Sequence, residues 1–313
     1  MVVINPYIPN KSIIFIVNFF FYRILEGLFE GDCFMKKPVL WLTMGAIVLF
    51  CTSCCTKKTV ESKGVLVLCG GSMRDVLEEI VERYSRLKPE AVVLPTYGGS
   101  GELCAQMQLA GKGDLYICHD PFMKWAAEKG LIEEWQTLGY LDVVIVVPKG
   151  NPKRIGGMKD LARKGLRIGI GDTTYSTSGV MVKEMFARLE EGEKIMANVR
   201  LETKGHQQRC TDVALGALDA AIVWYPVALL FKEKLDVISI SSEYVDTVSS
   251  ATYGESDLNN VKVCIGITPR ASGREEARDF YEFVIGNRDV FRIKGFRIEP
   301  RLPARKRVRE SGP

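Results

Sequence analysis

Two short stretches carry the residue types best suited to chemistry in this chain: Gly70-Gly71-Ser72-Met73 and Gly98-Gly99-Ser100-Gly101. Each follows an apolar run with strand character, Val65 to Cys69 and Ala91 to Leu94, and each opens a helical pattern. The first N–H groups of a helix have no intrahelical partner and sit at the positive end of its dipole. Glycine lets the backbone approach a ligand and a serine hydroxyl adds a donor, so the order strand, glycine, serine, helix suits an anion. Serines in such places most often cap their own helices. Two copies on successive strand–helix units read as two walls of one oxyanion pocket, with Gly71, Ser72, Gly99 and Ser100 on them.

Other chemistries are poorly represented. Nine cysteines and two histidines hold one short pair, Cys51-Thr52-Ser53-Cys54, and no second pair that would complete a zinc site. His119 reads as a loop histidine without catalytic duty, since no nucleophile is placed beside it. The formal charge of +4 lies entirely in the tail from Arg301, where Arg301, Arg305, Lys306, Arg307 and Arg309 face only Glu310. A neutral body argues against nucleic acid as a partner. No nucleophile–base constellation for an exported enzyme is visible, so the chain reads as a binding protein without a cofactor.

The elements that must position the two turns come in two α/β sets. The first helix is predicted from Val76, Leu77, Ile80, Val81 and Tyr84, and the second from Leu103, Met107 and Leu109-Ala110. Gly113 to Cys118 is a third strand, Phe122 to Lys129 a third helix, and Leu141 to Val147 an apolar run of the kind buried in a parallel sheet. The second set has strands at Leu166–Gly171 and Ala220–Trp224, and helices over Val180–Leu189 and Val213–Leu218. A late strand, Val261–Ile267, precedes a helix over Glu275–Ile285. Alternating strands and helices imply α/β architecture, with parallel-rich sheets and helices on both faces.

The beginning of the chain is built for export. Residues 1–34 fit nothing downstream, and Met35 is the expected true start. Residues 35–54 have a basic Met35-Lys36-Lys37, an apolar Val39 to Phe50, and a cysteine-containing end that resembles a lipobox with Cys54 as the acylated residue. Residues 55–63 form a polar tether, and 301–313 a basic, disordered tail. Export permits disulfides, and Cys69 with Cys118, at the ends of neighbouring strands, is the pair to test.

From about Val65 to Phe296 the order of these pieces resembles the periplasmic molybdate-binding family that serves ABC importers. The carrying motifs include Thr96-Tyr97-Gly98-Gly99-Ser100-Gly101, Gly113-Asp114-Leu115-Tyr116-Ile117, Ser178-Gly179 and Gly216-Ala217-Leu218-Asp219-Ala220-Ala221-Ile222-Val223-Trp224. The resemblance implies a two-lobed, type II-like binding-protein fold with crossovers near Leu141–Val147 and Val261–Ile267. Lobe one would be 64–140 plus 268–300, and lobe two 141–267. It implies Ser72 and Ser100 as anion donors, joined by the turn at Ser178 and by a loop at His206-Gln207. Trp224 stands where the family has a tyrosine, and an indole N–H can donate but not accept. It further implies a monomer that carries molybdate or tungstate to a permease and its ATPase. Sulfate or another anion, and ferric ion, are the alternatives. No lysine or arginine is required in such a pocket, and Arg74 is expected on the surface.

Overall fold

The computed structural model describes residues 64–174, 176–241, 244, 247–250 and 254–301. The leader with Cys54, the tether and the tail after Arg301 lie outside the described residues. Among the described residues no helix is long and apolar enough to cross a membrane.

Strand β1 (Val65–Gly70) passes through a single tight turn, Gly71–Met73, into α1 (Arg74–Leu87). Val76, Leu77, Ile80 and Tyr84 are buried along one face of α1, while Arg83 pairs with Glu79 and Arg86 with Glu82 outside. Lys88 precedes Pro89 and leaves the helical region at φ −133°, which ends the helix. Strand β2 (Val93–Gly98) starts later than its apolar run predicts. Helix α2 (Ser100–Ala110) buries Leu103, Cys104 and Met107, and stops at Gly111 in the left-handed conformation, φ 59°. Leu109, expected on the buried face, is 87% exposed, because two residues beyond Met107 a helix has turned to its far side.

Next come β3 (Leu115–His119), α3 (Phe122–Glu128) and β4 (Glu134–Leu141). The late strand β12 (Val261–Ile267) completes a five-stranded sheet in the order β2-β1-β3-β12-β4. Strands β1, β2 and β3 are parallel, and β12 runs antiparallel to both β3 and β4. Helices α8 (Glu275–Gly286) and α9 (Arg288–Ile293) follow β12. Ala277, Phe280, Tyr281 and Val284 of α8 are buried, as their spacing predicts.

The second sheet contains β5 (Val143–Pro148), β6 (Ile168–Gly171), β7 (Val199–Thr203), β8 (Ala220–Trp224) and β9 (Leu235–Ser239), in the order β7-β6-β8-β5-β9. Its helices are α4 (Thr177–Ala187), α5 (Gly192–Ala197), α6 (His206–Ala214) and α7 (Tyr225–Leu229). Each sheet is thus a parallel trio closed by an antiparallel pair. Strand β5 is buried on both faces as expected, yet it runs antiparallel to β8 and β9. A continuous apolar run reports burial on two faces and says nothing of direction.

The chain leaves the first sheet for the second at one residue, Asp142, between β4 and β5. Its carboxylate accepts from Arg297 at 2.9 Å and pairs with Arg301 at 3.2 Å, and its carbonyl accepts from the Tyr225 N–H. The return runs between Ser239 and Val261, through the hairpin β10 (Thr247–Ser250) and β11 (Gly254–Asp257). Val261–Ile267 was expected to close lobe two. It instead belongs to the first sheet, seated between β3 and β4.

The pairing of Cys69 with Cys118 is overturned. Cys69 lies opposite Ile117 in the β1–β3 register, so Cys118 points to the other face of the sheet. Cys69 joins the core under α1, Cys118 the cluster under α2 and α3, and both are free thiols, as are Cys104, Cys210 and Cys264.

Candidate functional site

Six parallel strands end at one cleft. Gly70 of β1, Gly98 of β2 and His119 of β3 come from the first sheet; Gly171 of β6, Thr203 of β7 and Trp224 of β8 come from the second. In open α/β sheets the carboxyl ends of the strands are where ligands bind, because the following helices present their N-termini there. Gly71, Ser72, Gly99, Ser100, Ser178, His206 and Trp224 all line this cleft, whose volume is about 300 Å³. Sequence reasoning placed these seven residues in one pocket from two glycine–serine turns and a resemblance, and the fold brings them together.

Neither first-lobe serine caps its helix. Ser100 is the first residue of α2, and Gly99 is the N-cap; the Gly99 N–H donates to the Glu102 carboxylate at 3.3 Å. The Ser100 Oγ is buried and has no hydrogen-bond partner among the described residues, while its carbonyl accepts from the Tyr116 hydroxyl at 2.6 Å. The backbone of Ser100 is therefore anchored and its hydroxyl is left over. Gly70 is glycine for this reason: a Cβ there would stand 2.9 Å from the Ser100 Oγ and 2.6 Å from the Met73 Cε. Ser72 lies in the turn ahead of α1, with its Oγ 3.0 Å from the Met73 sulfur, a weak acceptor.

In the second lobe, α4 begins at Thr177, ahead of the predicted Val180, so Ser178 sits in its first turn. That position is possible only beside glycines. A Cβ on Gly179 would lie 2.1 Å from the Asp172 carbonyl oxygen, and one on Gly171 would lie 2.7 Å from the Ser178 Oγ. The Ser178 Oγ is 3.0 Å from the Ser176 Oγ and 3.4 Å from the His206 Nε2. His206 and Gln207, expected in a loop, open α6. The Trp224 ring is buried, with the rings of His119 and His206 each 5.6 Å away.

Sequence reasoning missed several residues of the cleft. His119 is buried at the end of β3 and lines the cleft; it is no loop histidine, and its place at a strand terminus beside β1 was the available signal. Its Nδ1 is 2.9 Å from the Asp120 carbonyl, which can only accept, so Nδ1 carries the proton. Tyr97 has a buried hydroxyl without a partner, and the Arg74 guanidinium lies 4.1 Å over its ring. Arg74 is exposed as expected, but it also lines the mouth. Across that mouth Lys204 pairs with Glu102 at 2.8 Å, joining the two lobes, and this pair holds the Glu102 carboxyl below its usual range.

One arginine lies behind the pocket wall without lining the cleft. Arg209 is fully buried one helical turn behind His206. It donates to the Thr203 carbonyl at 2.6 Å, to the Ile222 carbonyl at 3.2 Å and to the His206 Nδ1 at 2.8 Å. Burial lowers the Arg209 pKa to about 10, so it remains a cation at neutral pH. Burial first, then Arg209 and His119, push the His206 imidazole well below its ordinary range. His119 is lowered as well, by burial. The lining offers hydroxyls and N–H groups at helix starts, with a buried cation behind it, a set of donors suited to a small anion.

The model of the family described as "Bacterial extracellular solute-binding protein" matches residues 65–297. A binding-protein sequence of Haemophilus influenzae is 22% identical over 251 residues, 80% of this chain and 95% of the relative. The molybdate-binding protein ModA of Mycobacterium tuberculosis is 25% identical over 182 residues, 58% of this chain and 68% of the relative. Among solved structures, the periplasmic molybdate-binding protein of Azotobacter vinelandii superposes with a TM-score of 0.61 at 16% identity, covering 76% of this chain and all of that one. The fold is shared by the sulfate-binding protein SubI of Mycobacterium tuberculosis (TM-score 0.60, 15% identity, 77% of this chain and 88% of that one). These relatives are described as binding proteins. The chain belongs to the bacterial extracellular solute-binding protein family.

Proposed function

We propose that this protein captures a tetrahedral oxyanion, molybdate or tungstate foremost, between its two lobes and delivers it to the permease and ATPase of an ABC importer. The observation that carries the reading is the Ser100 hydroxyl, buried at a helix start, without a partner, on the wall of the cleft. A buried hydroxyl without a hydrogen bond costs roughly 1–3 kcal/mol, a cost that a ligand oxygen would offset. Ser72, Ser178, His206 and Trp224, with the backbone at Gly71 and Gly99, are the other proposed contacts. A fully deprotonated oxyanion offers only acceptors, and hydrogen bonds to charged groups contribute roughly 1.5–3 kcal/mol each. Five of them sum to roughly 7.5–15 kcal/mol, from about the 8 kcal/mol of a micromolar complex to well above it, the excess going to desolvation and lobe closure.

Sulfate is the competing occupant, since it presents the same tetrahedron of acceptors and the fold is shared with a sulfate-binding protein. The protein would work on the outer side of the cytoplasmic membrane as a monomer, held there by a lipid on Cys54, with residues 35–54 as its export signal. Isothermal titration with molybdate, tungstate, sulfate and phosphate tests the reading. Micromolar or tighter binding of one oxyanion, weakened in Ser72→Ala and Ser100→Ala, is the expected result; no heat with any of the four refutes it.

A further inference from the structure

Arg209 is in an uncommon position for an arginine. Charged side chains are seldom fully buried without an ionic partner. Among the described residues it has no carboxylate partner; its bonds go to two backbone carbonyls and one imidazole nitrogen. The carbonyls belong to the last residue of β7 and the middle residue of β8, so the guanidinium ties together two strands that lead to the second-lobe wall.

The imidazole bond has a definite chemical consequence. Arginine only donates, so the His206 Nδ1 must accept at 2.8 Å. The backbone N–H of Trp224 approaches the same Nδ1 at 3.4 Å, and it too can only donate. With two donors aimed at Nδ1, the proton of the neutral ring is confined to Nε2. Nε2 faces the Ser178 Oγ at 3.4 Å, and both side chains line the cleft. The donors therefore run in one direction, from Arg209 to His206 to Ser178, and each polarises the next. Among the described residues no acid pairs with the charge at the start of this chain.

We propose that Arg209 is a positioning residue for anion capture: it locks His206 as the neutral, Nε2-protonated tautomer and supplies a permanent buried positive charge behind the second-lobe wall. This rests on the oxyanion reading of the cleft. Its consequence is that the His206 wall presents the same donor at every pH the protein meets. The titratable and charged groups that face His206 are Arg209 on its own helix, His119 from β3, and at the mouth Lys204, Glu102 and Arg74. Lys204 and Glu102 are paired with each other and Arg74 with Glu78, so Arg209 and His119 govern the ring.

The chain has two histidines, which makes the test direct. Two-dimensional nitrogen–proton spectra of the whole protein resolve both imidazoles, and a His119→Gln variant assigns them. In the wild type His206 should show Nε2 protonated and Nδ1 bare between pH 5.5 and 8. In Arg209→Met the ring loses its guanidinium donor and should populate the Nδ1-protonated tautomer as well, and oxyanion affinity should fall about tenfold, the equivalent of one hydrogen bond to a charged group. Arg209→Lys keeps the charge and a donor, and should restore most of the affinity and keep the ring neutral. A wild-type ring protonated on Nδ1 overturns the proposal, as does Arg209→Met with unchanged tautomer and affinity. If Arg209→Met fails to fold, the wild-type tautomer and Arg209→Lys decide. A wild type that binds none of molybdate, tungstate, sulfate or phosphate refutes the oxyanion reading and the anion half of this proposal together; the tautomer still judges the lock.

Discussion

Ser100→Ala should move binding and stability in opposite directions. In the free protein the Ser100 Oγ is buried and has no partner, whereas its backbone is secured by the Tyr116 hydroxyl and by α2. Removing the hydroxyl leaves those anchors in place and abolishes an unmet hydrogen-bonding demand of roughly 1–3 kcal/mol. Alanine also has the higher helix propensity, by a few tenths of a kcal/mol. The apo variant should therefore be at least as stable as the wild type, with a urea midpoint shifted up and an unchanged slope. Oxyanion affinity should fall by roughly 10- to 150-fold, the equivalent of one hydrogen bond to a charged ligand, about 1.5–3 kcal/mol. Chemical unfolding without ligand and isothermal titration with molybdate measure the two arms separately. A destabilised variant with normal affinity would mean that Ser100 is a structural serine, and the argument from its buried hydroxyl would be wrong. Ser72→Ala supplies the contrast: its Oγ is already near the Met73 sulfur, so affinity should drop without a gain in stability.

Other consequences follow from the same geometry. Both histidines have folded-state pKa values below the ordinary 6.5, so below about that pH the unfolded chain binds protons that the folded chain refuses. Stability is then fully present above pH 6.5 and falls as pH drops, by up to about 1.4 kcal/mol per pH unit for each histidine. Asp120, raised by burial, opposes this trend, so the histidine share is the flattening seen in urea titrations of His119→Gln and His206→Gln. At the mouth, Lys204→Ala should weaken anion binding and Glu102→Gln strengthen it, each by a few-fold at low salt, with both effects fading in about 0.5 M salt as screening sets in. Stability should change by less than about 1 kcal/mol in either, since both partners are exposed. Burial pushes the Cys104 thiol up to about 11 and those of Cys210 and Cys264 up to about 12, so these three should resist alkylation until urea unfolds the protein, as read by peptide mass mapping.

How much of this could be read from the sequence depended on whether the signal was local. Periodicity announces one buried face, so α1 and α8 were legible residue by residue: Val76, Leu77, Ile80 and Tyr84, then Ala277, Phe280, Tyr281 and Val284. The glycine–serine turns were legible because a strand end, a close backbone approach and a helix start are all written within a few residues. Strand direction was not, because β5 looks apolar whichever way its neighbours run, and β12 could be assigned to a sheet only by its pairing with β3 and β4. The register that separates Cys69 from Cys118 is likewise a property of two strands together. The site divides along the same line. Ser72 and Ser100 announce themselves, but Arg209 lies in the middle of a nine-residue helix among polar neighbours and resembles any surface arginine. Only the fold shows that it is buried, that its partners are Thr203, Ile222 and His206, and that no acid answers its charge. A donor whose role is to orient another donor leaves no spacing of its own in the chain. The residues proposed to touch a ligand can be found from motifs, whereas the one proposed to fix the protonation of their neighbour must be found from contacts.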